Sequence, residues 1–400
     1  MTDAGLPAQE GLAAAGHPLA VPDPGRDVAV YVHWPYCARI CPYCDFNVVR
    51  DRGQIETQAR LVDAIIADLE GQASRLGSRD LTSIFFGGGT PSLMAPDAVA
   101  RVIDRIGQLF GARGPIEVTL EANPTDAEAG RFQALAQAGV NRLSLGVQSL
   151  DDQALRFLGR NHSSGEARRA IELATSAFRR LSIDLIYALP GQSAETWRRE
   201  LETAIDLGFE HISPYQLTIE PTTAFGRAFA RGGLVPPDDD LAADLYETTQ
   251  AVLEGAGFET YEISNHARGL SARSRHNLHV WRGGDYLGVG PGAHGRLTLE
   301  GTRTATVAHL NISTYLDGVA AGRPWSDVEQ MDDTAAAEES LLLGLRTHEG
   351  ASLAALDSLG LEDRIDILVE EGVLQRLRGR LVATPRGRPV LDNVLKRLLT

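Results

Sequence analysis

Between residues 28 and 217 one pattern keeps returning. A run of about six mostly apolar residues, short enough for a buried strand, gives way to a longer stretch whose apolar positions recur at helical spacing. The period is roughly thirty residues. The strand-like runs are Val28–His33, Leu81–Phe86, Ile116–Glu121, Arg142–Val147, Ser182–Tyr187 and His211–Leu217. The helical stretches between them are Ile55–Leu76, Ala95–Leu109, Ala127–Ala138, Gly165–Arg179 and Ala194–Leu207. Repeated strand–helix units joined by right-handed crossovers build a parallel sheet. With helices on one side only, such a sheet curls toward a barrel. Barrel enzymes place their functional residues where the strands end, and here Gly87-Gly88-Gly89-Thr90-Pro91, Asn123-Pro124, Gln148 and Leu189-Pro190-Gly191 each follow a strand. A doubly wound open sheet would gather them at one crevice instead. The expected fold class is α/β, an incomplete barrel of six strand–helix units.

The pattern changes near residue 332. Helices at Ala336–Gly344 and from Leu361 are followed by two short strands, Val373–Leu377 and Arg380–Thr384, around Arg378-Gly379, and by a last helix at Val390–Leu399. Helices followed by a hairpin predict a small C-terminal α+β domain of winged-helix-like form. Four segments are thus expected: a disordered leader over 1–26, the barrel over 27–265, an extension over 266–331 and the small domain over 332–400.

Composition narrows the function. Net charge is −15, so no overall basic field recruits nucleic acid. The arginines of the C-terminal unit, Arg376, Arg378, Arg380, Arg386 and Arg388, are offset by Glu362, Asp363, Asp366, Glu370 and Glu371, and no nucleic-acid partner is expected. No apolar run reaches the roughly 20 residues of a transmembrane segment. The leader, rich in Ala, Gly and Pro, has no basic start followed by an apolar stretch. A cytoplasmic location follows, where thiols stay reduced.

All three cysteines fall within one stretch, Tyr31 to Asn47: Cys37, Cys41 and Cys44. Three thiolates so close can ligate one compact soft-metal centre. A 4Fe–4S cluster held by three thiolates leaves one iron open to an exogenous ligand. A structural zinc with His33 as fourth ligand has acceptable ligand types but lacks a second knuckle. A disulfide would leave an odd thiol.

The cysteine spacing, with Tyr43 just before the third cysteine, resembles that of the radical S-adenosylmethionine family. The resemblance implies that the open iron is chelated by the amino and carboxylate groups of S-adenosylmethionine, and that Gly87 to Thr90 match the family's glycine-rich loop at the methionine end of that cofactor. YVHWPYC, FFGGGTPS, EANP, LSLGVQS, SIDLIYALPGQ and SPYQLTIEP are together similar to the branch containing the oxygen-independent coproporphyrinogen III dehydrogenases and the HemW-type heme chaperones. The similarity covers residues 27–400 and implies a radical S-adenosylmethionine barrel. On it, Tyr31, Tyr43, Gly88, Gly89, Thr90, Glu121, Gln148, Arg160 and Asp184 fall on cofactor-contacting positions. Read from residue type alone, Glu121 and Asp184 could equally be helix caps or surface charge, and Arg160 a solvated ion-pair residue.

Two features separate the members of this branch. The dehydrogenases carry a further cysteine two residues after the third, where this chain has Phe46, and a longer N-terminal cover. The stretch Arg275-His276-Asn277-Leu278-His279-Val280-Trp281 resembles a heme motif proposed for the chaperones, with Val280 in place of a tyrosine. By that resemblance His276 is an axial heme ligand, with Arg273, Arg275 and Arg282 available to propionates. The bland reading is a buried, hydrogen-bonded histidine. The resemblance therefore implies a heme-binding protein that passes heme to an acceptor hemoprotein, such as a respiratory enzyme at the membrane. The enzymatic alternative is radical decarboxylation of coproporphyrinogen III.

Overall fold

The computed structural model describes residues 22–400 apart from 24, 127 and 128. Most of the expected leader, and the first residues of the helix expected from Ala127, lie outside the described residues. The chain opens with β1 (Asp27–Trp34), the short β2 (Tyr36–Cys37) and β3 (Val49–Arg50), α1 (Ile55–Leu76), β4 (Asp80–Gly88), α2 (Pro96–Leu109), β5 (Glu117–Ala122) and α3 (Ala129–Gln137). It continues through β6 (Arg142–Gln148), α4 (Asp152–Phe157), α5 (Ser164–Ala177), β7 (Arg180–Tyr187), α6 (Ala194–Asp206) and β8 (His211–Gln216). β1 and β4 to β8 pair in parallel in that order, as the alternating pattern predicts. Helix starts are set by local chemistry: Ser163 with Glu166, and Ser193 with Thr196, form reciprocal caps that satisfy the first free amides of α5 and α6.

The two faces of this sheet differ in kind. Val118, Leu120, Leu143, Leu145, Ile183 and Leu185 join the main hydrophobic core with residues of α1, α2, α5 and α6. The alternate residues are polar and bond to one another across strands: Glu117 with Arg180, Ser144 with Asp184, Ser182 with His211 and Ser213. Strand periodicity of two thus gives an oily face for helices and a wet face for chemistry.

The sheet is larger than expected. After α7 (Ala224–Ala230) and α8 (Asp239–Gly255), β9 (Glu259–Glu262) and β10 (Asn265–Ala267) add antiparallel strands beyond β8. The expected boundary at 265 falls inside β10. Following α9 (Arg275–Trp281), β11 (Asp285–Val289) pairs in parallel with β1, and β12 (His294–Leu299), β13 (Thr302–Ala308), α10 (Ile312–Ala320) and β14 (Trp325–Gln330) complete a twelve-stranded sheet. Residues 332–400 supply α11 (Asp333–Gly344), β15 (Ala351–Ser352), α12 (Leu353–Leu356), α13 (Glu362–Glu370), β16 (Leu374–Leu377), β17 (Arg380–Ala383) and α14 (Leu391–Leu399) around a second core that includes Leu341, Ile365, Leu381 and Leu398. Arg378 and Gly379 both have positive φ, 51° and 76°, the backbone that a tight hairpin turn demands.

Candidate functional site

The cysteine loop leaves the end of β1 and is tied off by the β2–β3 pair, which sets Tyr36 against Val49 and Cys37 against Arg50. Val49 N–H donates to the Pro35 carbonyl at 2.8 Å and Asp51 N–H to that of Cys37 at 2.7 Å, so both ends of the loop are pinned. Asn47 reaches outward, its amide donating to the carbonyls of Pro291 and Leu310. All three cysteines are free thiols. Burial pushes the Cys44 thiol up to about 11, with Cys37 and Cys41 adding to the shift. Cys37 and Cys41 each meet a donor, Thr90 and Arg160, and three thiols gathered in one loop are a donor set that fits an iron–sulfur cluster. Among the described residues no three ligating side chains converge on a single ion. His33, the candidate zinc ligand, is otherwise engaged: Nδ1 lies 3.0 Å from the Tyr31 hydroxyl and Nε2 2.9 Å from the Asn47 carbonyl.

The glycine run lies beside the loop because β4 pairs with β1, His33 opposite Gly87 and Trp34 opposite Gly88. Gly88 has φ +108°, and a Cβ there would stand 2.6 Å from the His33 ring. At Gly89 a Cβ would stand 2.7 Å from the Tyr36 carbonyl oxygen and 2.8 Å from the Pro35 carbonyl carbon. Gly89 N–H donates to Trp34 and Thr90 N–H to Tyr36. The close approach anticipated between backbone and ligand is therefore first an approach between the glycine run and the cysteine loop.

One network ties two of the cysteines together. Thr90 Oγ1 donates to Cys37 Sγ at 3.6 Å and accepts from Asn123 Nδ2 at 2.8 Å. Arg160 donates to Asn123 Oδ1, to the Gly146 carbonyl at 2.9 Å and to Cys41 Sγ at 3.4 Å. Asn123, in the strand-end Asn-Pro pair, is a residue of this site that the sequence places at a strand end without assigning it a cofactor contact. Tyr43 is half-buried against Phe225, and its desolvation raises the phenol, with Arg160 and Cys41 as its polar neighbours. Tyr31 lies over Phe85 on the polar face.

Glu121 accepts from Gly88 N–H at 3.2 Å, and burial together with the charge of Asp184 pushes its carboxyl up to about 8. Burial raises Asp184 to about 6, opposed by its hydroxyl partners Ser213 and Ser144. Gln148 ends β6 with φ +67°, a conformation that costs a non-glycine residue of the order of 1–3 kcal/mol.

His276 is elsewhere. It sits on α9, which closes the opposite end of the polar face: its Nδ1 is 3.0 Å from Ser83 Oγ and its backbone N–H donates to Glu117 at 3.0 Å. Ser83 and Gly88 are five residues apart on β4, roughly 16 Å along the strand. His276 is 6% exposed and burial pushes its imidazole down to about 3. Both ring nitrogens of His279 are engaged, by Thr82 and the Asp285 carbonyl. The arginines of this motif are committed too, Arg273 to Glu259, Arg275 to the Pro115 carbonyl and Arg282 to Glu349.

Residues 31–204 match the Radical SAM superfamily. The chain is 39% identical to the bovine (Bos taurus) radical S-adenosyl methionine domain-containing protein 1, mitochondrial, over 95% of its own length and 89% of that protein's. It is 38% identical to the heme chaperone HemW of Mycobacterium tuberculosis, with 96% and 97% covered, and 34% identical to that of Escherichia coli, with 93% and 98% covered. Among solved structures, coproporphyrinogen III oxidase (HemN) from Escherichia coli superposes with a TM-score of 0.77 at 20% identity, covering 99% of this chain and 94% of that one, a likeness of fold.

Proposed function

The chain belongs to the radical S-adenosylmethionine superfamily, in the HemN-like branch with the HemW heme chaperones, and from that premise we propose that it is itself a heme chaperone. Membership brings a 4Fe–4S cluster and S-adenosylmethionine. In our reading Cys37, Cys41 and Cys44 hold the cluster. Gly88, Gly89, Thr90, Glu121, Gln148, Arg160 and Asp184, flanked by Tyr31 and Tyr43, form the cofactor's surroundings. The cluster's open iron and the sulfonium of S-adenosylmethionine together supply one-electron chemistry when bound. The chain's own residues set the loop, exclude water through Tyr43 and Phe225, and keep Glu121 ready to accept a donor. Heme is the cargo, passed to an acceptor hemoprotein that is a membrane-bound respiratory enzyme in this proposal. Among the described residues no helix is long and apolar enough to cross a membrane, so contact with such an acceptor would be peripheral.

The observation that carries the reading is Phe46. It is 63% exposed in the cysteine loop, at the position where the dehydrogenases of this branch have a further thiol, and the chain has no fourth cysteine to replace it. The test is to offer the anaerobically reconstituted protein ferric heme and, separately, coproporphyrinogen III with S-adenosylmethionine and reductant. The expected result is a Soret band retained through gel filtration at about one heme per chain, and no protoporphyrinogen IX. Steady turnover with no retained heme assigns the dehydrogenase instead.

A further inference from the structure

The arginines near the cysteine loop differ from those of the α9 motif. Between the β2–β3 pair, the start of α1 and the start of α10 lies a cavity of about 450 Å³, inside the roughly 300–1,000 Å³ of small-molecule sites. Arg50, Arg52 and Arg60 line it, and among the described residues their guanidinium groups have no ion-pair or hydrogen-bond partner. Asp317, the carboxylate on the far wall, is paired with none of them. All three are exposed at the rim of the hollow, so their charges face its mouth.

Two further features point the same way. Tyr36 lines the cavity, is 3% exposed, and its hydroxyl has no partner. The indole N–H of Trp34, whose ring lies 5.1 Å from that of Tyr36, has none either. Helix α1 starts beside them at Gln54 without a side-chain cap, with Glu56 the acidic residue of its first turn. The apolar part of the wall is Val49, Ile312 and Leu316, interspersed with Gln54, Thr57 and Ser313. Cations and unsatisfied donors beside apolar side chains recognise an apolar body that carries carboxylates along one edge.

We propose that this cavity takes the propionate edge of a tetrapyrrole, with Arg50, Arg52 and Arg60 meeting its carboxylates and Val49 and Leu316 covering its apolar rim. The proposal rests on the heme-chaperone reading and adds the place where cargo sits. Because Arg50 is paired with Cys37 across β2 and β3, the cargo lies one strand from a cysteine of the loop.

The test titrates ferric heme and its dimethyl ester into the full chain, followed in the Soret band, and repeats the heme titration with the R50Q/R52Q/R60Q variant. Each lost charge-assisted pair is expected to weaken binding about tenfold, so the variant should bind heme at least about tenfold more weakly with its iron content unchanged. The ester, lacking the charges, should bind the unaltered chain more weakly by a similar factor, and this comparison decides even if the variant fails to fold. Equal affinity for heme and its ester overturns the proposal and leaves the chaperone reading standing. No heme retained by the unaltered chain overturns both.

Discussion

Glu117 and Glu121 stand at the two ends of β5, and burial leaves them in opposite states. Glu117, at the α9 end, is penalised by burial, but Arg142, Arg180 and the backbone N–H groups of Arg275 and His276 outweigh that penalty and hold its carboxyl below the ordinary value. Glu121, at the cysteine-loop end, has one backbone N–H and a second carboxylate for company, and rises to about 8. One end of the polar face is finished: its charges have partners supplied by the chain. At the other, Arg160 is spent on Asn123, Gly146 and Cys41 and burial outweighs Arg142, so Glu121 and Asp184 both stay raised, which is the condition of a site built for something the chain does not contain. Residue type is the same at both ends; what distinguishes structure from site is whether the partners are present.

The largest effect that separates the two ends is loss of the cluster. Cys37→Ala, Cys41→Ala and Cys44→Ala each remove one of three thiolates, and iron should fall from about four per chain to background. Gly89→Val should do the same, because its Cβ would strike the Pro35 and Tyr36 backbone that carries the loop. Glu117→Gln, at the other end, should retain full iron. Iron and sulfide analysis of folded protein checks this. A Gly89→Val protein with normal iron would show that the glycine run touches only the cofactor and does not shape the loop.

Stability as a function of pH sharpens the comparison with a sign. Glu117 has a lowered carboxyl, so its contribution is fully present above its ordinary value of 4.5 and is lost as pH falls through the folded value. Glu121 is the reverse: between 4.5 and about 8 the unfolded chain ionises while the folded one stays protonated, so stability falls as pH rises through that window. Glu117→Gln should destabilise cluster-free protein at neutral pH by about 3–5 kcal/mol, since Arg142 and Arg180 lose their buried partner. Glu121→Gln should gain on the parent by about 1.4 kcal/mol per pH unit across its window. Denaturant midpoints of parent and variants at about pH 3, pH 5 and pH 8 measure both, the acid pair of points for Glu117 and the upper pair for Glu121. Slopes of the same sign would remove the distinction between the two ends.

Much of this was legible in the sequence, for identifiable reasons. The six parallel strands announce themselves because apolar runs buried against helices have little freedom of composition. Strands β12 to β14 do not: Thr, Arg and Gly interrupt the apolar residues of β12 and β13, the three form antiparallel pairs, and β14 is largely exposed, so their pattern is that of a loop. The cysteines and glycines are visible because their roles depend on spacing and on the absence of a side chain. Asn123 is visible only as a strand-end residue, because its role is made by Thr90 and Arg160, 33 and 37 residues away. The α9 motif reads as exposed chemistry until Glu117, 158 residues earlier, is seen to bury it.

The smallest expected effect concerns His276, where the α9 end meets the question of heme. Its ring is held by Ser83 and lies 4.9 Å from that of Phe85, and burial keeps it neutral. Iron could reach it only if α9 withdrew from Glu117, giving up two backbone hydrogen bonds and uncovering a buried carboxylate. His276→Ala should therefore leave the Soret maximum and the heme stoichiometry of the parent unchanged, while costing about 1–3 kcal/mol of stability through the lost Ser83 bond and the space left behind. A displaced or missing Soret band in an otherwise folded His276→Ala protein would make the histidine an axial ligand. It would also show that α9 opens when heme binds, so that this end of the molecule is a site as well.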